Sequence, residues 1–324
     1  MNKKILIVSG DPNSINSEII HKVWRKLDIS IKKKIYLISN YKLIYNQFKK
    51  LKYKIKIVKL KNIEESIDKN ALKIIDVDLK FKNSFKVDKD QSSKYIINSL
   101  NLAHKLSLNN DVLGLVNCPI SKNLLNKKNI GVTEYLASKC GITDDSEVML
   151  ITNKKLSICP ITTHVDLKDV VKKITSKKII NKVKTIKNWY KKKFKINPKI
   201  GILGLNPHNS ELRKDSEEKK MIIPTIKKLK KMSFNVKGPL IGDTLFMYNY
   251  KEYDVLIGMF HDQIITPFKT IYKFDAINVT LGLKYLRVSP DHGTAVNLIK
   301  KNKADPTSLL KCIQFINKFG RWNF

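Results

Sequence analysis

Residues 253–295, YDVLIGMFHDQIITPFKTIYKFDAINVTLGLKYLRVSPDHGTA, decide how the rest of the chain is read. The stretch opens with an apolar run, 255–260, bounded by polar residues, which is the pattern of a buried strand. The run stops at His261-Asp262-Gln263, three side chains able to bind metal, accept protons or donate hydrogen bonds. Lys269, Asn278 and Arg287 follow, each isolated among apolar residues, and a second polar knot, Asp291-His292-Gly293-Thr294, closes the segment. In open α/β sheets ligands sit beyond the carboxyl ends of strands. A strand that runs into His-Asp-Gln is therefore where chemistry is expected.

Outward from it, short apolar runs alternate with amphipathic helical patterns, which argues an α/β architecture. Strands are expected at 5–8, 35–39, 55–60, 112–116, 148–152, 156–163 and 200–205. Helices are expected from about 17, over 92–108 with Ser92 or Ser93 as cap, after 131–134, over 169–194, over 217–232 and over 308–319. The pattern over 63–88 is weak, and 238–244 reads as a loop. The chain shows no internal repeat, low-complexity tract or clear linker.

At 324 residues the chain exceeds what one core usually serves, so two domains are expected. No run approaches the roughly 18 uninterrupted apolar residues of a membrane span. The first apolar run, 5–8, is too short for a signal peptide, so a cytoplasmic protein is expected. Cys118, Cys140, Cys159 and Cys312 have no CxxC or paired spacing and read as reduced, mostly buried thiols.

The formal net charge is +35, from 63 Lys and Arg against 28 Asp and Glu. The lysines are spread along nearly the whole chain while Arg is scarce and Asn and Ile are abundant. That bias follows AT-rich codon usage, whereas a nucleic-acid surface would favour Arg with aromatics placed for stacking. Neither a nucleic-acid partner nor a membrane is expected.

Three of the six histidines come directly after an apolar strand run: His164, His208 and His261. Parallel strands of one sheet put their carboxyl ends along one edge, so the three can converge on one cation. Three imidazoles with an open position form a catalytic divalent site. Asp243 and Asp262 are candidates to orient a ligand or hold the imidazoles. Lys269 and Arg287 can hold phosphate or carboxylate, with Asn278 donating from the side. Thr133 and the helix start behind it can bind phosphate oxygens. There is no GxGxxG, so a dinucleotide would not bind through a Rossmann turn.

Several segments together resemble one family: Gly10-Asp11-Pro12, Pro119-Ile120-Ser121-Lys122, Thr162-Thr163-His164 and Gly204-Leu205-Asn206-Pro207-His208 in the first two thirds of the chain. They continue with Gly238-Pro239-Leu240, Asp243-Thr244, His261-Asp262-Gln263, 278–283, Asp291-His292-Gly293-Thr294-Ala295 and Lys303-Ala304-Asp305-Pro306. In order and over essentially the full length, these are similar to the 4-hydroxythreonine-4-phosphate dehydrogenases of pyridoxal phosphate biosynthesis, the PdxA family.

The resemblance implies a two-domain α/β fold like isocitrate and isopropylmalate dehydrogenases, with the active site in the interdomain cleft of a homodimer. The expected division is 1–130 plus 295–324, and 131–294 carrying the metal histidines and most substrate contacts. A divalent metal (Zn, Mg or Co) falls on His164, His208 and His261. Substrate contacts fall on Thr133, Lys269, Asn278 and Arg287. Asp243 and Lys269 are the candidate catalytic groups, with a metal-bound hydroxide as the alternative base, and 291–294 is the candidate site for NAD or NADP. The implied reaction oxidises the C3 hydroxyl of 4-phosphooxy-L-threonine, and the resulting β-keto acid loses CO2 to give 3-amino-2-oxopropyl phosphate.

Two departures from the family pattern stand out. The family's Gly-His-Thr-Glu is Gly131-Val132-Thr133-Glu134 here, so a substrate-contacting imidazole is replaced by a side chain that cannot hydrogen-bond. The glycine-rich Pro-Ala-Gly-Ile-Gly-Pro-Glu turn is Pro12-Asn13-Ser14-Ile15-Asn16-Ser17-Glu18, which restricts any position needing positive φ or close ligand approach. Both fit drift in an AT-rich lineage. They equally fit a shifted substrate, such as erythronate or threonate phosphate, or a weakened paralogue.

Overall fold

Alternating buried apolar runs and helices dictate two sets of strands in the computed structural model, which describes residues 3–65, 70–125 and 131–320. The strands are β1 (Lys4–Val8), β2 (Ile35–Ser39), β3 (Ile57–Leu60), β4 (Leu72–Asp76), β5 (Val112–Asn117), β6 (Val148–Thr152), β7 (Ser157–Pro160), β8 (Ile200–Leu203), β9 (Val236–Leu240), β10 (Val255–Gly258), β11 (Ile277–Leu281) and β12 (Arg287–Pro290). The chain divides into two compact units, Met1–Lys139 with Lys284–Phe324, and Cys140–Leu283.

In the first unit the strand order is β3-β4-β2-β1-β5-β12, with every neighbouring pair parallel. Parallel pairing requires crossovers, and the helices Asn16–Lys26, Tyr41–Lys50 and Lys89–Ser107 are found between strands. Both faces of such a sheet are covered, so β1 and β2 are apolar and buried almost throughout. The helix Lys89–Ser107 turns Tyr95, Ile96, Leu100 and Ala103 inward. It starts earlier than expected because Asp88, not Ser92 or Ser93, caps it, accepting from the N–H groups of Asp90 (2.9 Å) and Gln91 (3.2 Å).

The second unit has the order β11-β6-β7-β10-β8-β9. Its first two pairings are antiparallel and the rest parallel. Its core includes Ile151, Ile158, Leu203, Leu256, Ile264 and Phe268.

Against the expected division, the boundary at residue 130 lies outside the described residues, at 126–130. Thr133 and 284–294 group with the first unit, because β12 pairs with β5, Arg287 opposite Leu115. Residues 238–244, expected as a loop, instead complete β9 and start the helix Gly242–Tyr248. The expected helix 217–232 is a π-turn, Glu218–Ile222, followed by an α-helix, Ile223–Lys231. Among the described residues no helix is long and apolar enough to cross a membrane, and all four cysteines are free and buried.

Candidate active site

The parallel neighbours β7, β10 and β8 determine where the second unit carries its chemistry. Their registers align Val255 with Ser157 and with Ile200, so the three strands end side by side. His164 follows β7, His261 follows β10 and His208 follows β8. The strand ends stay joined beyond the ladder: Ile161 N–H donates to Gly258 O (2.8 Å), and Thr162 donates to Met259 O through both N–H (3.2 Å) and Oγ1 (2.8 Å). His164 and His261 consequently lie with ring centroids 6.0 Å apart. Imidazoles sharing a tetrahedral cation, each with its nitrogen about 2.0–2.1 Å from it, have centroids about 5 Å apart, so these two rings are near but not at ligating separation.

His261 does not end in a loop. It opens a helix, His261–Tyr272, that accommodates Pro267. Its Nδ1 is 2.6 Å from Asp262 Oδ1. With Nδ1 protonated and donating to that carboxylate, Nε2 is left as the ligating nitrogen, the usual arrangement around metal-bound imidazole.

His208 is turned towards the other acidic candidate, with Nδ1 3.9 Å from Asp243 Oδ2. It begins five consecutive residues with left-handed backbone, His208 to Leu212, with φ between 48° and 59°. The segment before it is held firmly. Glu218, fully buried, accepts from Leu205 N–H and Asn206 N–H, both at 2.8 Å. Burial alone would raise its pKa, but the Asn206 and Leu205 donors hold the carboxyl below its usual range. A Cβ at Gly204 would lie 1.9 Å from Asn209 Oδ1, so any side chain there would displace Asn209.

The donor set suits a divalent cation in kind, three imidazoles at adjacent strand ends with two carboxylates behind them. In place it is partly assembled: His164 and His261 are neighbours, but among the described residues no three His, Cys, Asp or Glu side chains close on one point. Lys269 lies on the helix His261–Tyr272. Asn278 lies on β11, where its buried Oδ1 has no hydrogen-bond partner, an acceptor suited to a ligand donor.

The first unit gathers the other candidates. Arg287 is 3 % exposed, and its Nε donates to Asn117 Oδ1 (2.6 Å) while Nη1 donates to Thr133 Oγ1 (3.2 Å). Burial pushes its pKa down to about 10, opposed chiefly by the charge of Glu134. Asn117 and Glu134 were not singled out from the sequence. A polar residue ending a strand, as Asn117 does, was the available signal.

Asp291 N–H donates to Ser308 Oγ (3.0 Å), and Thr294 O accepts from Ile15 N–H (3.2 Å). His292 Nε2 is buried without a partner, and Gly293 is open on its Cβ side. This segment thus combines polar groups with a bare stretch of backbone.

The lost glycines leave no positive-φ position behind. Neither Ser14 nor Asn16 is left-handed; Gly10 is (φ 76°), and it is retained. Ser14 Oγ donates to Asp11 O (2.5 Å) and Asn16 Nδ2 to Pro119 O (2.8 Å), so the replacements knit the turn.

Residues 31–316 match the family model described as pyridoxal phosphate biosynthetic protein PdxA. The chain belongs to the PdxA family. Among relatives, it is 37 % identical over 320 residues to the 4-hydroxythreonine-4-phosphate dehydrogenase of Sulfurihydrogenibium sp. (strain YO3AOP1), covering 96 % of each chain. It is 35 % identical over 327 residues to the protein of the same name from Aquifex aeolicus (strain VF5), covering 98 % of each. The crystal structure of 4-hydroxythreonine-4-phosphate dehydrogenase from Klebsiella pneumoniae superposes with a TM-score of 0.81 at 24 % identity, over 98 % of this chain and 99 % of that one, a shared fold. The PdxA fold is thus the mixed α/β architecture described above.

Proposed function

We propose that this PdxA-family chain is an NAD(P)- and divalent-metal-dependent dehydrogenase of 4-hydroxythreonine 4-phosphate, acting as a homodimer. The observation that carries this reading is that His164, His208 and His261 each follow, within five residues, the end of one of three neighbouring parallel strands, in a chain related along almost its whole length to proteins of that name. A divalent cation held by those imidazoles would supply Lewis-acid polarisation of the hydroxyl being oxidised.

The chain's own residues do the rest. Asp243 takes the hydroxyl proton on its carboxylate. Arg287 offers a cationic fork to an oxyanion, aligned by Asn117 and Thr133. Lys269 offers a compact ammonium. Asn278 Oδ1, buried and unpartnered, accepts from a substrate N–H or O–H, which relieves the roughly 1–3 kcal/mol cost of leaving it unpaired. Asp291 to Thr294 bind the nicotinamide cofactor.

One observation favours a second substrate. Val132 starts the helix Val132–Lys139 immediately before Thr133 and brings no polar group there. A phosphorylated sugar acid such as erythronate or threonate 4-phosphate would lack the amine but keep the phosphate and hydroxyl.

The deciding experiment measures NAD(P)H formation with each of the three phosphates, with divalent cation and after chelation. Turnover of 4-hydroxythreonine 4-phosphate is expected, lost on chelation and in His261→Ala, and Val132→His should raise kcat/KM on it. Turnover indifferent to chelation and to alanine at all three histidines overturns the reading. Turnover confined to a sugar-acid phosphate, with no gain from Val132→His, moves it to the second substrate.

A further inference from the structure

We propose that Gln263 is a positioning residue for the histidine cluster, its side-chain amide fastening the segment that leads to His208 onto the strand end that leads to His261. The inference rests on the reading of the three histidines as ligands of one cation. Gln263 Oε1 accepts from Met259 N–H at 2.6 Å, and Gln263 Nε2 donates to Gly204 O at 2.7 Å. Met259 lies just past β10, two residues before His261, and Gly204 lies just past β8, four residues before His208.

The network continues in both directions. Met259 O accepts from Thr162 N–H and Oγ1, which ties in the strand end of His164. Beyond Gly204, Glu218 Oε1 takes the N–H groups of Leu205 and Asn206. One amide thus joins the supports of all three imidazoles.

A simpler role would be helix capping, because Gln263 is the third residue of the helix His261–Tyr272 and such residues reach back to free N–H groups. Capping accounts for the bond to Met259. It does not account for the bond across to Gly204, which belongs to a different strand. Satisfying an N–H and a carbonyl together requires one acceptor and one donor on the same short head group, which an amide has and a carboxylate lacks. Gln263→Glu therefore keeps the cap and loses the link. Gln263→Met loses both without adding charge near a cation.

The test titrates Co2+ into the chelator-treated full-length protein and follows the visible absorption of the bound ion. Both variants are expected to melt a few degrees lower without metal, from the hydrogen bonds lost, and to bind Co2+ about 10–100-fold more weakly while still folded, the usual effect of removing a group behind the ligands. In a His208→Ala background the Gln263→Glu change should add almost nothing, whereas in a His164→Ala background it should keep its effect. Unchanged Co2+ affinity in both Gln263 variants, with affinity abolished in His261→Ala, overturns this inference and leaves the ligand reading standing. Wild-type protein that binds no Co2+ removes the ligand reading and this inference with it.

Discussion

Lys73 is a charged residue in the middle of a buried strand, 5 % exposed on β4. Its Nζ donates to Lys33 O and lies 4.1 Å from the Tyr36 ring centroid. Burial, and then the charge of Lys4, push its pKa down to about 8 from 10.5. Between those values the unfolded chain binds the proton that the folded chain has released, so this group makes stability rise with pH. Below about 8 both states are charged and the fold bears the full desolvation cost. Lys73→Met should therefore raise the urea midpoint at neutral pH, and the gain should shrink towards about pH 10 as the wild-type lysine is neutralised. Equal gains at both pH values would show that charge burial is not the cause. The same residue explains why β4 was not legible: a lysine among Leu72, Ile74 and Ile75 breaks the apolar run. Asn278 and Thr280 in β11, and Arg287 and Ser289 in β12, obscure those strands similarly. Polar and charged residues buried within a strand are the ones that spoil its pattern.

At the scale of elements, β7, β8 and β10 were legible because each is a short apolar run that ends abruptly in polar residues, and their parallel pairing delivered the shared edge. The helix His261–Tyr272 was not, because Pro267 in its interior is a helix breaker on sequence grounds. Nor was the conformation of His208 to Leu212, since no glycine marks it. A left-handed conformation costs a non-glycine residue roughly 1–2 kcal/mol. Asn209 tolerates it best, and it anchors the segment by donating from Nδ2 to Pro239 O at 3.1 Å. Ser210, half-buried with φ 51°, carries the strain without such a side-chain anchor among the described residues. Ser210→Gly should then stabilise the protein by about 1 kcal/mol, read as a higher urea midpoint at unchanged slope. A loss of stability on that change would mean the left-handed run is not the resting conformation of the segment that carries His208.

For the whole molecule the dominant quantity is charge. With 63 cationic and 28 anionic side chains, most lysines lack an acidic partner by number alone, and their mutual repulsion opposes compaction. The ion pairs at the surface are of the exposed kind, such as Lys199–Glu252 at 3.3 Å with both side chains about half exposed, and these contribute little. Screening should thus relieve more repulsion than attraction. Raising NaCl from about 0.01 to about 0.15 M shortens the screening length from about 30 to about 8 Å, which separates neighbouring lysines electrically. The melting temperature is expected to rise over that range and then flatten as the screening length falls below the spacing of the charges. A melting temperature that is flat or falls over the same range would mean that local pairing, not net charge, governs the folded state, and that the dispersed lysines are already compensated.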